Sequence, residues 1–215
     1  AGNAEAESRV DYISDMLGIE KADVIGAINL MREEGLLADS KDLTAYIRRS
    51  DNQNKSATIL RKYARLEEFI MSIITESGIT INLKEINEQA INAGVKTSTV
   101  KDIKTVIYYW TIKSFIHKSL DVSDKRTDIV PKISLDDLNR KYAKRIDIAR
   151  FIVQYLYEKT IDNPNPEKEE VIVQFSVLEL KNAYAEQLTF GTTYAASISD
   201  IEDALLYLAK IGALS

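Results

Sequence analysis

The sequence predicts a mainly α-helical protein with small β hairpins, assembled from tandem helix-turn-helix units. Three observations predict it. Val100, Ile103, Ile107 and Trp110 recur at helical spacing on one face, while Ser98, Thr99, Lys101, Lys104, Thr105 and Tyr108 fall on the other. The pattern then changes to an extended run over Thr111 to Ile116. Finally, the arrangement repeats. Ile103, Ile107, Trp110, Ser114, Phe115 and Ile116 align without gaps with Val24, Ile28, Met31, Gly35, Leu36 and Leu37, and again with Ile201, Leu205, Leu208, Gly212, Ala213 and Leu214. The offsets are 79 and 98 residues. In each copy an amphipathic helix ends at a small residue, suited to the left-handed turn that stops a helix.

Taken in order, residues 1–7 read as a disordered leader. Tyr12, Ile13, Met16 and Leu17 give a short helix stopped at Gly18, and Asp23 is placed to cap a helix over Val24 to Glu34. Leu36 to Ile47 reads as a small hairpin with its tip at Ala38 to Lys41. The polar stretch 48–57 lacks periodicity and reads as a linker. The middle unit, 58–133, is the complete copy. Its first helix, Thr58 to Thr75, carries Ile59, Tyr63, Leu66, Ile70 and Ile73 on one face. A strand follows over Ile79 to Ile81. Asn82 caps the next helix, with Glu85 three residues on, Ile86 and Ile91 facing inward and Gly94 as the stop. After the Thr97 to Trp110 helix, Asp121 to Asp128 is the hairpin tip and Ile129 to Ile133 the return strand.

The last unit, 134–215, opens at Ser134 with a long amphipathic helix through Leu156. An acidic loop follows over Asp162 to Glu170, then a strand over Val171 to Phe175. Ser176 and Glu179 repeat the cap spacing of Asn82 and Glu85, and a final helix covers Ser197 to Lys210. The first unit, 1–47, lacks an opening helix, and the last stops where the other copies enter their hairpin. The natural protein is therefore expected to continue as a larger chain.

Composition excludes several functions. The chain of 215 residues has no cysteine and a single histidine, His117, so disulfides, Cys/His zinc sites and Cys–His catalysis are out of reach. No Ser motif accompanies His117, which reads as an ordinary surface residue. No apolar run approaches the ~20 residues that span a bilayer, and a cytoplasmic setting is expected. No catalytic constellation and no cofactor motif emerges.

The net charge of −5 conceals a strong asymmetry. Residues 1–40 sum to −6, residues 41–145 to +7 and residues 146–215 to −6. Exposed charges are screened beyond about 8 Å at physiological salt, so a local basic patch outweighs the total. The basic middle gives the candidate nucleic-acid-binding residues: Lys96, Ser98, Thr99, Lys101, Lys104, Thr105, Tyr108, Lys113 and Lys118, with Lys125 and Arg126 at the hairpin tip. Lysines and hydroxyls suit phosphates, and few of these side chains discriminate base edges, so binding is expected to be non-specific or structure-dependent. Tyr108 is a stacking candidate, whereas Trp110 points to the core. Two further runs, Arg48, Arg49, Lys55, Arg61, Lys62, Arg65 and Arg140, Lys141, Lys144, Arg145, read as exposed helix faces. Glu33, Glu34, Asp200, Glu202 and Asp203 on the flanking copies would repel a duplex, and they read as facing solvent or a protein partner.

A basic helix running into a strand hairpin is the layout of a winged helix, here in tandem. Tyr12 to Ile19 followed by Asp23 to Leu37 resembles the helix-turn-helix of bacterial DNA-binding proteins. The whole resembles the region after the motor in long RecQ-type DNA helicases. That resemblance implies a winged helix that engages duplex DNA and helps to separate strands at a fork. The family's four-Cys zinc module is absent, as are a G-x-x-x-x-G-K-[ST] loop and an acidic metal box, so any motor would lie outside these residues. Two other readings stay open. One is a protein-interaction scaffold like the tandem winged-helix subunits of condensin-like complexes. The other is a transcription regulator, which would need a dimer to space its recognition helices.

Overall fold

The computed structural model describes residues 2–33, 43–50, 53–120, 126–161, 169–188 and 194–215. In chain order these form α1 (Gly2–Leu17), α2 (Lys21–Glu33), β1 (Leu43–Ser50), β2 (Gln53–Asn54), α3 (Lys55–Ile73), β3 (Ile79–Asn82), α4 (Leu83–Asn92), α5 (Val100–Ile112), β4 (Ile116–Leu120), β5 (Arg126–Pro131), α6 (Leu135–Glu158), β6 (Glu170–Phe175), α7 (Val177–Leu188) and α8 (Ile198–Lys210). The protein is mainly helical, with two small antiparallel sheets ordered β3-β5-β4 and β2-β1-β6. No helix among the described residues is long and apolar enough to cross a membrane.

Helix starts follow local chemistry. The Asn82 side chain accepts the N–H groups of Lys84 and Glu85, and Ser134 accepts that of Asp137. Ser176 and Glu179 bond reciprocally, Glu179 N–H to the Ser176 hydroxyl at 3.1 Å and Ser176 N–H to the Glu179 carboxylate at 3.4 Å. Helix ends repeat equally well. After α5, Phe115 N–H reaches the Trp110 carbonyl at 2.9 Å and Ser114 N–H that of Thr111 at 3.0 Å. After α8, Ala213 N–H reaches Leu208 at 2.9 Å and Gly212 N–H reaches Ala209 at 3.2 Å. Ser114 and Gly212, the aligned small residues, take φ of 58° and 74°. The repeat is thus one geometry used twice, each helix closed by the same left-handed turn.

In the middle unit α3, β3, α4, α5, β4 and β5 follow in order, with the return strand β5 in the centre of its sheet. Ile79 pairs with Ile129 and Ile116 with Pro131. The last unit has α6, β6, α7 and α8 in the same order, and its central strand is β1. Val173 pairs with Ala45, and Leu214 bridges Ile47. Residues 45 and 47 therefore occupy the places that residues 129 and 131 hold in the middle unit. A strand from early in the chain completes the last unit's sheet.

Several expectations are corrected here. Residues 2–7, expected as a disordered leader, belong to α1. Asp23 is no cap; it lies in the first turn of α2, where Glu20 supplies the carbonyl that accepts its N–H at 3.0 Å. The hairpin expected over 36–47 is replaced, in its described part, by the pairing of Leu43–Ser50 with β6, because β6 offers an apolar face in register. Residues 34–42, and with them the expected hairpin tip, lie outside the described residues. The linker expected at 48–57 is the end of β1, β2 and the start of α3. Its polar side chains are used internally: Asn54 caps α3 and donates to the Val153 carbonyl at 3.1 Å, and Ser56 donates to the Ala213 carbonyl at 2.6 Å.

The extended run expected from Thr111 begins only at Ile116, since α5 continues to Ile112. The return strand starts at Arg126, earlier than expected, and the rest of the tip, 121–125, is outside the described residues. Ile91 is 36% exposed, and Ala90 fills the inward position instead. The acidic loop falls outside the described residues over 162–168. His117 is exposed on β4, as expected.

One apolar cluster runs through both units, from Ala45 to Leu214. At its centre α3, α5, α6 and α8 enclose a buried ion pair. Glu67 is 0% exposed and Arg145 is 6% exposed, and the two are in direct contact. Trp110, fully buried as expected, donates its indole N–H to Glu67 at 2.7 Å. The Arg145 guanidinium lies 4.7 Å from the Tyr109 ring centre and 4.5 Å from that of Tyr207. Arg145 was expected on an exposed face; the aromatic cage and the carboxylate explain its burial.

Candidate nucleic-acid interface

The site begins with how α5 is held. Thr99 caps it, accepting the Asp102 N–H at 3.2 Å, while Asp102 accepts the Thr99 N–H at 2.9 Å. Asp102 also takes the Tyr63 hydroxyl at 2.6 Å and the Lys62 ammonium at 3.0 Å, both from α3. Burial pushes the Asp102 carboxyl up. The bonds from Tyr63 and Lys62, the Lys62 charge and the Thr99 side chain together outweigh burial and hold it below the usual carboxylate range. The last unit repeats the device: Ser197 and Asp200 box the start of α8, and Lys144 of α6 meets Asp200 at 2.6 Å.

With Ile103, Val106, Ile107 and Trp110 buried, α5 turns the opposite stripe outward. Lys101, Lys104 and Tyr108 are exposed along it, and Lys96 is exposed on the turn before it. Tyr108, 52% exposed, has the Lys210 ammonium 5.4 Å from its ring centre. Lys210 escaped notice in the sequence because it belongs to the acidic last unit. Arg126 is exposed at the start of β5.

The remaining candidates are placed differently. Ser98 is buried and donates to the Asn87 side chain at 2.8 Å. The Thr99 hydroxyl is occupied by the cap, and that of half-buried Thr105 donates to the Lys101 carbonyl at 2.9 Å. Lys113 reaches Asp203 of α8 at 2.5 Å. These hydroxyls and Lys113 serve the fold, because residues at a helix start and end meet orphan backbone groups and neighbouring elements before solvent. Lys118 is described only by its backbone pairing with Ile129, and Lys125 lies outside the described residues.

The other charge runs separate in the same way. Arg49 is buried on the Thr160 carbonyl at 2.7 Å, and Arg48 meets Glu170 at 3.4 Å. Arg61 and Arg65 are exposed and share a groove with Lys62, Lys96 and Thr97, beside the start of α5. Of the third run, Arg140 pairs with Asp137, Lys141 sits 5.9 Å from the Phe115 ring centre, and Lys144 and Arg145 are engaged as described. Asp200 and Asp203, expected to face solvent or a partner, pair with lysines of α6 and of the residue just after α5. These two carboxylates of α8 are thus engaged within the fold, Asp200 inside the last unit and Asp203 across to the middle one. Among the described residues, α3, the turn before α5 and α5 itself together present an outward cationic surface.

No family model matches the chain, and no curated protein or solved structure matches it.

Proposed function

We propose that this chain is a non-catalytic nucleic-acid-binding region of the tandem winged-helix type, acting within a larger protein of the RecQ-like helicase kind. The observation that carries the reading is the exposed stripe Lys101, Lys104 and Tyr108 on α5, flanked by Lys96, Arg61 and Arg65. Its helix precedes a two-stranded hairpin whose return strand pairs with β3, the order a winged helix requires. Lysines on an outward helix face neutralise phosphates without reading bases, so the ligand is duplex or forked DNA held by its backbone. A cysteine-free chain is indifferent to the reducing cytoplasm that this reading requires.

The test is duplex affinity measured against salt. Contacts from three lysines give log K a slope of roughly −3 against log salt. Lys101→Glu with Lys104→Glu should weaken binding by at least about tenfold and flatten that slope. Affinity that ignores both salt and these changes removes the reading.

A second reading, a protein-interaction scaffold, is favoured by one observation. Tyr12, Met16, Leu17 and Leu30 on α1 and α2 are all more than 60% exposed. Co-purification of a partner that is lost on Met16→Glu, with no DNA affinity, would favour it.

A further inference from the structure

Arg61 and Arg65 lie one turn apart on α3 and line two adjoining depressions. One, of about 390 Å³, includes Lys62 and Lys96 and opens toward the start of α5. The other, of about 480 Å³, lies between α3 and α6 and adds Arg150. All three arginines are exposed, and none is within ion-pair distance of a carboxylate among the described residues. Glu68, on the wall of the second depression, is occupied by the Tyr142 hydroxyl at 2.8 Å. The neighbouring cations behave differently: Lys62, Lys113, Lys144 and Arg145 each have an acidic partner within the fold. These arginines therefore have no carboxylate partner among the described residues.

We propose that the α3–α6 cleft holds one unpaired strand of a nucleic acid whose duplex part lies along α5. The proposal rests on the function given above and adds the form of the ligand. A volume of about 480 Å³ is that of a small-molecule site, on the scale of one or two nucleotides. Guanidinium groups suit an unpaired strand because their planar forks bond phosphates bidentately and stack on exposed bases. Lys96 lines the first depression, which shares Arg61 and Arg65 with the cleft and opens toward the start of α5, so cations run from the cleft to the α5 stripe.

The test compares a blunt duplex with the same duplex carrying a single-stranded tail of about 10 nucleotides. The full chain should bind the tailed form about tenfold more tightly. Arg61→Ala, Arg65→Ala and Arg150→Ala together should abolish that gain, with the salt slope for the tail falling by about 0.7 per arginine removed, whereas Arg150→Ala alone, outside the duplex surface, should reduce the gain and leave blunt-duplex affinity within about twofold. Lys101→Glu with Lys104→Glu should weaken both forms. A tail gain that survives the triple change overturns the assignment. Duplex binding with no tail gain does so too, and a poly-glutamate peptide bound by the wild type but not by the triple variant would then mark the cleft as an acidic-peptide site. A wild type that binds neither DNA form overturns the function itself.

Discussion

The rings of Tyr109 and Tyr207 meet edge to face with their centres 5.0 Å apart. The two residues are 98 positions apart, the offset at which α5 and α8 repeat. Equivalent positions of α5 and α8 therefore meet in the core. Arg145 lies against both rings and Glu67 neutralises it.

That cluster gives the first prediction. Arg145→Met leaves Glu67 buried beside only the Trp110 N–H, and should cost roughly 3–5 kcal/mol. Adding Glu67→Gln keeps an acceptor for Trp110 while removing the stranded charge, so the double variant should recover most of that loss. Urea unfolding of the two variants measures the difference. Trp110→Ala should cost a similar amount, about 3–5 kcal/mol, by emptying the same core.

Two glycines with left-handed backbones should respond unequally to alanine. Gly212 has φ 74° and open space where a Cβ would stand, so Gly212→Ala should cost about 1–2 kcal/mol. Gly78 has φ 88°, and a Cβ there would lie 2.6 Å from the Ile129 carbonyl oxygen. Gly78→Ala should therefore cost more than Gly212→Ala and loosen the β3–β5 pairing, seen as faster amide exchange at Ile79 and Ile129.

Asp102 and Asp200 link stability to pH. For both, burial raises the carboxyl, and hydrogen bonds and a lysine outweigh it, so the folded-state value lies below the unfolded value of about 3.9. Their contribution is complete above that value and is lost as pH falls through the folded-state value. Asp102→Asn should lower stability at neutral pH by about 1–3 kcal/mol and flatten the acid limb of a stability–pH curve. An unchanged acid limb would show that the box and its lysine do not hold the charge.

Thr99 separates folding from binding. With its hydroxyl committed to the cap, Thr99→Ala should cost about 1 kcal/mol of stability and leave DNA affinity unchanged below the melting range. Tyr108→Ala should do the reverse, leaving the melting temperature alone and weakening DNA binding by removing an exposed ring from the α5 stripe.

Much of this architecture is written locally. Asn82, Ser134, Ser176 and Ser197 announce helices because a cap is settled within a few residues, and Ser114 and Gly212 announce helix ends for the same reason. The inward face of α5 follows from spacing alone. The larger failures were non-local. The alternation over Leu43–Ser50 marks a strand but carries no information about its partner, which lies more than 120 residues away. Arg145 sits in a basic run and shows itself as buried only once Glu67 of α3 and two tyrosines converge on it. Ser98 and Thr99 fall on the polar side of a helical wheel, yet stand where unpaired backbone groups claim their hydroxyls. Of the candidate interface, the exposed lysines and Tyr108 were legible from periodicity; Lys210 and Arg150 were not, because they come from other elements.

The origin of β1 has a consequence for biosynthesis. The ribosome releases residue 50 long before residue 170, and at about 5–20 residues per second the interval is roughly 6–24 s. The middle copy has every strand it needs within one stretch and can collapse as it emerges. The final copy must wait, with an early segment held in reserve and its hydrogen-bonding edge unprotected. Translation speed, and chaperones that shield such edges, should therefore govern the yield of this protein more strongly than its equilibrium stability does.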